Sequence, residues 1–371
     1  MVRRTEKPIR YGVVGLGHIA QAAVLPAFAN AENSELGALV SGDDEKLEKL
    51  GERYEIEAQY HYDDFDAMLT DEVVDAVYIA VPNHLHHDYV LRAARAGVHV
   101  LCEKPLAVTS QQCQEMVEAC EEHDVLLMTA YRLHFEAANL RTIDAARNGD
   151  FGDLRFFQAS FSQNVTDGDI RLMPIEEGGG TVYDMGTYCI NAARYLFGDE
   201  PYEVMALSES KAGDDRFSDC DEMTGALLRF PGERLALFLT SFGSYATSAY
   251  RLVGTNGEAV LEPAFEYATN LKYEFRVGDE TQQETLEKRD QFGPELIYFS
   301  DCIEQGRRPE PDGYEGWADV QIIEAIYESA RSAAPVAVDV VASPKRPTVD
   351  QIITRPGFDK PEEIKASSPK E

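Results

Sequence analysis

The feature that most restricts what this chain can fold into is a short glycine pattern at a strand-to-helix switch. Gly15-Leu16-Gly17-His18-Ile19-Ala20 reads G-x-G-x-x-A; it follows an apolar run at 9–15 and opens an apolar-periodic stretch at 19–28. There the first glycine makes a tight turn, and the second lets the backbone approach a pyrophosphate held at the helix N-terminus. Further compact apolar runs at 36–40, 76–81, 98–102 and 125–130 alternate with helix-like segments such as 43–53 and 110–122. That alternation predicts an α/β domain over residues 1–130, built on a doubly wound parallel sheet that binds a dinucleotide.

After Tyr131 the pattern changes. A helix at about 135–147 stops at Asn148-Gly149, and the chain then reads mostly as strands: 154–164, 202–211, 223–230, 234–242, 248–254, 257–262 and 265–277. Turn signals join them, Pro231-Gly232 and the hairpin marker Asn256-Gly257 among them. With late helices at 294–305 and 317–333, residues 131–334 predict an α+β domain with a mostly antiparallel sheet. Residues 335–371 hold six prolines and read as a C-terminal arm or disordered tail.

Composition excludes whole classes of partner. The 371 residues carry 66 acids and 34 bases, a formal charge of −32. Nucleic acid is bound largely through Lys and Arg on phosphates, and an anionic membrane would repel such a chain. Residues 335–371 contain six acids and six bases, so the excess lies on residues 1–334. Self-repulsion at this density is relieved by salt, and only 11 of the 34 bases are lysine, which suits a halophilic enzyme; an acidic mesophilic protein is the plainer alternative. The longest apolar run is about six residues, too short to span a bilayer. Arg3-Arg4 lacks the apolar stretch an export signal needs. Six cysteines without CxxC spacing read as reduced thiols of a cytoplasmic protein.

Several residues then stand out for their chemistry. At the end of the second strand, where NAD enzymes place an acid for the ribose, stand Ser41-Gly42, with Lys46 just inside the next helix. A hydroxyl and a cation favour the 2′-phosphate of NADP over the diol of NAD; Asp43 and Asp44 speak against it, and Lys46 could be a solvated helix residue. Glu103-Lys104-Pro105 follows the strand at 98–102, at the edge where doubly wound sheets bind ligands; it could equally be a surface loop. Asp184 and Tyr188, four apart behind Gly178-Gly179-Gly180, share one helix face. A phenol beside an ammonium is a credible proton acceptor; the alternative is a structural tyrosine on an amphipathic helix. His84, His86 and His87 cluster, but no second group completes a zinc set, and no metal is expected.

Taken together, Gly15–Ala20, Pro82-Asn83-His84-Leu85-His86, Glu103-Lys104-Pro105, Tyr131-Arg132 and the stretch from Gly178 to Tyr188 resemble the Gfo/Idh/MocA oxidoreductase family over about residues 8–333. Val40-Ser41-Gly42 with Lys46, tyrosine at 188, and the stretch 191–201 resemble its glucose–fructose oxidoreductase branch. The resemblance implies a Rossmann domain, a second domain with a large open sheet often used for oligomer contacts, and hydride transfer between nicotinamide and a sugar carbon. By position it makes Tyr188 the general base, Lys104 the residue that orients the hydroxyl and lowers proton affinity nearby, and Asp184 a group that positions the sugar or supports the proton path. Gly15, Gly17, His18, Ile19, Ser41, Gly42, Lys46, Pro82, Asn83, His86, Glu103, Lys104 and Arg132 are then the cofactor contacts.

The expectation is an NADP-dependent oxidation of an aldopyranose, D-xylose or D-glucose, at C1, by a homodimer or homotetramer. The alternatives are a reductase or dehydrogenase of keto-sugars or cyclic polyols, and a non-catalytic NADP-binding regulator. Two departures from the family pattern matter. Exported members carry a long N-terminal arm that clasps the cofactor, whereas about eight residues precede the first strand here, so NADP is expected to exchange freely. Ile170 stands before Arg171 where an aromatic residue is common.

Overall fold

The computed structural model describes residues 7–341 and 346–369. Arg3 and Arg4, residues 342–345 with Pro344, and residues 370–371 lie outside the described residues. Among the described residues six strands form a parallel sheet: β1 (Ile9–Val14), β2 (Ser34–Val40), β3 (Gln59–Tyr60), β4 (Ala76–Ile79), β5 (His99–Cys102) and β6 (Leu127–Thr129), in the order β3-β2-β1-β4-β5-β6. β1 pairs with both β2 and β4, so the strand order reverses beside it and opens a crevice at the carboxyl ends. The strands are apolar throughout because both faces are covered. On one side Val14, Val40, Ile79 and Cys102 pack with Val90, Ala93 and Met116; on the other Tyr11, Leu39, Tyr78 and Leu101 pack with Leu25, Leu47 and Leu296.

The second sheet contains β7 (Leu154–Asn164), β8 (Glu203–Glu209), β9 (Met223–Phe230), β10 (Arg234–Ser241), β11 (Gly243–Gly254), β12 (Gly257–Leu261), β13 (Leu271–Val277) and β14 (Glu280–Leu286). After the short β15 (Arg289–Asp290), β16 (Val336–Ala337) joins its edge, giving the order β14-β13-β12-β11-β7-β10-β9-β8-β16. Only β7 with β10 pairs in parallel among these described strands. Residues alternate across it: Ala226, Leu228, Phe230, Ala236 and Phe238 face inward and pack with Ile190, Ala193, Ile322 and Ile326 of two helices, Thr187–Phe197 and Gly313–Ser332. The outer face leaves Met205, Leu207, Leu227, Leu235, Leu237 and Leu239 exposed.

Four expectations change. The helix read at 19–28 is wound irregularly, as a π-helical turn at Ala20–Val24, a short α-helix at Leu25–Ala27 and a 3₁₀ turn at Phe28–Asn30; Pro26 has no N–H to continue a regular ladder. The strand read at 265–277 begins only at Leu271, while β14 went unread because its sequence, E-T-Q-Q-E-T-L, is polar and mostly exposed. The helix Gly293–Gln305, assigned by sequence to the second domain, packs Leu296, Phe299 and Cys302 into the core beneath β1. The C-terminal segment is an arm with specific contacts, and its β17 (Arg355–Pro356) pairs with β15. Among the described residues no helix is long and apolar enough to cross a membrane.

Candidate active site

The glycine turn is held from three sides. Gly15 adopts φ +95°, and a Cβ there would lie 2.5 Å from the Ala80 carbonyl oxygen. Its N–H donates to Val40 O at 3.0 Å, which ties the end of β1 to β2. Only glycine fits that backbone. Gly17 is the opposite case: a Cβ would meet nothing within 4 Å, so the backbone is bare toward open space at the start of the helix. His18 and Ile19 line the adjoining cleft. This bare N-terminal turn, with N–H groups free of side-chain cover, fits a pyrophosphate. The residues present are therefore those a dinucleotide requires.

At the end of β2, Ser41 is buried and its Oγ accepts from the Asp43 N–H at 3.2 Å. Asp43 caps the helix Asp44–Tyr54 by accepting from the Lys46 N–H at 3.1 Å. Gly42 is exposed, with Tyr62 packed against it. Burial pulls the Lys46 ammonium below its ordinary pKa, more strongly than Asp43 raises it. Ser41 and the Lys46 backbone are thus joined through Asp43 at the carboxyl end of β2.

The cleft, about 410 Å³, lies between the two sheets. Lys104 follows β5, and its Nζ donates to Asp184 Oδ1 at 2.8 Å and to the Asp184 carbonyl at 2.9 Å. Arg171 Nε donates to the other carboxylate oxygen at 2.9 Å and pairs with Asp169 at 3.1 Å. Burial pushes the Asp184 carboxyl up, yet Lys104 and Arg171 outweigh it and hold the group well below the usual carboxylate range. Burial lowers the Lys104 ammonium, and Asp184, with Tyr188 and Glu103, more than restores it. Both members stay charged at neutral pH.

Tyr188 stands in the field of two cations. Lys104 Nζ is 4.8 Å from its ring centroid, and the Arg132 guanidinium 5.0 Å. Arg132 donates to the phenolic oxygen at 3.2 Å, and its remaining N–H groups reach the Phe265 carbonyl and Gln291 Oε1. Phe161 and Phe265 fix the ring from its edge and face. Asp184 sits on a π-helical turn, Val182–Gly186, that leads into the helix bearing Tyr188; such bulges are frequent at functional sites. Lys104, Asp184 and Tyr188, spread over 85 residues of sequence, meet in one cleft.

Pro82, Asn83 and Glu103 also line the cleft. Asn83 Nδ2 donates to the Gly178 carbonyl at 2.8 Å, linking the two domains, and Glu103 Oε1 accepts from Tyr78 at 2.8 Å. His86 is fully buried, with Nδ1 3.0 Å from the Pro105 carbonyl and Nε2 3.0 Å from the Val81 carbonyl; it braces the loops carrying Pro82 and Lys104. Two of the three glycines before Asp184 make room for the chain itself: a Cβ on Gly179 would lie 1.8 Å from the Met173 carbonyl oxygen, and one on Gly180 2.4 Å from Asp221. Arg132, expected at the cofactor, lines the cleft and also holds Tyr188. Arg171 joins the site without having been assigned a role from sequence, although Asp169-Ile170-Arg171 before the glycines is a visible signal. Gln291 and Tyr267, whose ring lies 5.3 Å from the Arg132 guanidinium, have none, since their loops form only in the fold. His87 pairs with Glu115 at 2.7 Å, and no metal-holding group of three or more ligands occurs among the described residues.

Comparison with known proteins agrees with this construction. Residues 9–131 match the model of an oxidoreductase family with an NAD-binding Rossmann fold, and residues 140–260 match the GFO/IDH/MocA C-terminal domain. A D-xylose 1-dehydrogenase [NADP(+)] of Haloarcula marismortui is 32% identical over 350 residues, covering 90% of this chain and 94% of that protein. Among solved structures, an aldose–aldose oxidoreductase from Caulobacter crescentus complexed with glycerol superposes with a TM-score of 0.85 at 36% identity, over 89% of this chain and 100% of that one. A 3-ketoreductase from Actinomadura kijaniata in complex with NADP and TDP-benzene gives a TM-score of 0.79 at 28% identity, over 87% and 98%. The fingerprint turn, the Lys104–Asp184–Tyr188 cleft and both domain matches lead to one conclusion: the chain belongs to the Gfo/Idh/MocA family of oxidoreductases.

Proposed function

We propose that this protein is an NADP-dependent sugar dehydrogenase that oxidises an aldopyranose, D-xylose or D-glucose, at C1 to the lactone. The observation that carries the reading is Tyr188, a phenol in the cleft that accepts a hydrogen bond from Arg132 and lies beside the Lys104 ammonium. The bound nicotinamide supplies the hydride acceptor. Tyr188, acting as the phenolate, takes the proton of the anomeric hydroxyl and becomes the phenol, and the two cations stabilise the negative charge that develops on the sugar oxygen as C1 gives up hydride. Lys104, fixed by Asp184, orients the same hydroxyl. Gly15, Gly17, His18 and Ile19 hold the pyrophosphate, Ser41, Gly42 and Lys46 the 2′-phosphate end, and Pro82, Asn83 and Glu103 the nicotinamide end.

The choice of sugar and cofactor is supported by the names of the relatives, the Haloarcula xylose dehydrogenase and the Caulobacter aldose–aldose oxidoreductase. The Actinomadura ketoreductase supports a second reading, in which the same phenol donates its proton to a keto-sugar. A non-catalytic regulator has no need of the intact Lys104–Asp184–Tyr188 set. Absorbance at 340 nm with NADP and a panel of aldoses and polyols, at low and molar salt, separates the three. Reduction with an aldose supports the dehydrogenase; no reduction with any of them refutes it. The exposed leucines of the second sheet fit burial against a second copy in a homodimer or homotetramer, which sedimentation of Leu237→Lys tests. The cysteines at 102, 113, 120, 189, 220 and 302 are buried and joined by no disulfide, which supports a cytoplasmic enzyme.

A further inference from the structure

The sequence at the adenosine end is contradictory: Ser41 and Lys46 favour a 2′-phosphate, while Asp43, Asp44 and Glu45 repel one. The C-terminal arm resolves the conflict. Lys365 Nζ lies 3.0 Å from an Asp43 carboxylate oxygen and 3.0 Å from one of Glu45. Its ammonium is close enough to Lys46 that each charge opposes the other. Lys365, from the far end of the chain, is therefore brought to the loop that follows Ser41, and it neutralises two of the acids there, Asp43 and Glu45; an acid at this place is what an NAD-selective site turns toward a ribose diol.

The arm is held at this place by built contacts. Gln21, one residue past the fingerprint and fully buried, grips the backbone of Ile364 at both ends: its Oε1 accepts from the Ile364 N–H at 2.7 Å, and its Nε2 donates to the Ile364 carbonyl at 3.0 Å. The same Nε2 donates to the Leu16 carbonyl at 2.9 Å, so one amide ties the arm to the fingerprint turn. The Ile364 side chain is buried in the core that contains Leu16 and Ala20. Glu363 Oε2 is 2.8 Å from His18 Nδ1, the fourth residue of the fingerprint. Lys365 itself adopts φ +46°, a left-handed backbone uncommon for lysine that such contacts sustain. Farther on, the Pro369 carbonyl accepts from the Thr166 N–H of the second domain at 3.0 Å, and Phe358, Lys360, Ser368 and Pro369 line the cleft. The arm thus crosses from the end of β2 to the second domain over the mouth of the site.

We propose that residues 358–369 are part of the cofactor site: Lys365 selects for a phosphate on the adenosine ribose, and the arm, anchored on Gln21, holds the bound nucleotide in place. The free exchange expected from the short segment before β1 is then restricted from the opposite end of the chain. This inference rests on the dinucleotide reading above.

The test measures binding rather than turnover. NADPH and NADH fluorescence titrations and stopped-flow release are run on the wild type, on Lys365→Gln, and on a chain ending at residue 357. A lost charge-assisted contact in Lys365→Gln raises the NADPH Kd about tenfold, and the NADH Kd stays within about twofold. The shortened chain releases both nucleotides at least about tenfold faster if residues immobilised over the ligand must first open. Trypsin cleavage after Lys365 in the wild type slows when NADP is added. Lys365→Gln that changes both Kd values equally, or neither, overturns the inference while leaving the dehydrogenase reading intact. A wild type that binds neither nucleotide overturns both. Lys365→Gln alters a half-exposed side chain, so its result stands even if the shortened chain fails to fold.

Discussion

Replacing Asp184 by asparagine removes one charge where two cations meet. Its carboxylate oxygens lie 2.8 Å from Lys104 Nζ and 2.9 Å from Arg171 Nε, and the Lys104 side chain is only 12% exposed. At an effective dielectric constant of 20, a unit pair about 4 Å apart is worth about 4 kcal/mol. Removing one member of a buried pair costs about 3–5 kcal/mol. Arg171 keeps Asp169 at 3.1 Å, so the loss falls mainly on Lys104. Partial exposure favours the low end, about 3 kcal/mol, which corresponds to a rate loss of about a hundredfold if all of it appears in the transition state.

The direction in pH follows from the same contacts. Burial drives the Lys104 ammonium toward the neutral amine, and Asp184 overrides it. In Asp184→Asn burial prevails, so Lys104 loses its proton at lower pH. The alkaline limb of the kcat/KM profile then moves downward, and part of the lost rate returns near pH 6. Asp184 itself has its pKa depressed on folding, so its stabilisation is present above the ordinary carboxylate pKa and disappears only as pH falls through the depressed value. The wild type therefore resists acid that unfolds the variant sooner. Steady-state kinetics from pH 5.5 to 10 checks the first outcome and thermal melts below pH 4 the second. A variant with wild-type kcat and an unmoved alkaline limb refutes the claim that Asp184 maintains the charge on Lys104.

Tyr188→Phe removes the proton acceptor and leaves the ring between Phe161 and Phe265, so kcat falls at least ~100-fold while the melting temperature stays within a few degrees; a near-wild-type rate refutes its role. His134, fully buried, has Nδ1 2.9 Å from Glu310 and Nε2 2.8 Å from Asn191. Burial lowers its pKa, but Glu310 raises it further, to a net value above the ordinary one. The stabilisation is then complete below about pH 6.5 and lost as pH rises through the folded value. Melts between pH 6 and 9 fall in the wild type and stay flatter in His134→Gln; parallel curves refute the assignment. Finally, the charge of −32 predicts melting temperature and activity rising together from low to molar salt. A flat response in both shows that the charge is incidental.

Much of this was legible because local constraints coincide with function at a few positions. Gly15 and Gly17 were readable since the turn forbids a Cβ at one and leaves open space at the other. Lys104, Asp184 and Tyr188 stand near proline or glycine, but only the family resemblance gives them roles in the sequence; the fold adds that all three line one cleft. What stayed hidden was set by packing between distant segments. His86 and Arg132, cofactor contacts by resemblance, both line the cleft, but what each holds is set by the fold: the His86 ring nitrogens meet carbonyls of two loops, and Arg132 reaches Phe265 O in a loop read as strand. The C-terminal arm was hidden for a different reason. Its prolines and balanced charge suggest disorder, and the contact that orders it is made by the backbone of Ile364, whose groups no side-chain pattern reports.

The distribution of lysine joins the charge to the site. This chain uses few lysines, 11 in all, and carries most of its positive charge on arginine. Yet Lys104, Lys288 and Lys360 line the cleft, and Lys46 and Lys365 flank the end of β2. An ammonium is a compact, strongly hydrated charge with rotatable donors, suited to phosphate and sugar oxygens, whereas the planar guanidinium suits carboxylates. Arginine takes both kinds of place: Arg132 and Arg171 line the cleft beside the lysines, and Arg194 pairs with Glu315 and Asp319, both fully buried. Lys104 and Lys365 each meet acids of their own chain, and in both cases the pairing adjusts the site rather than the fold. Asp184 holds Lys104, and Lys365 offsets Asp43 and Glu45 at the proposed 2′-phosphate position. On a chain of net charge −32, these cations give the cleft and its border a local positive field.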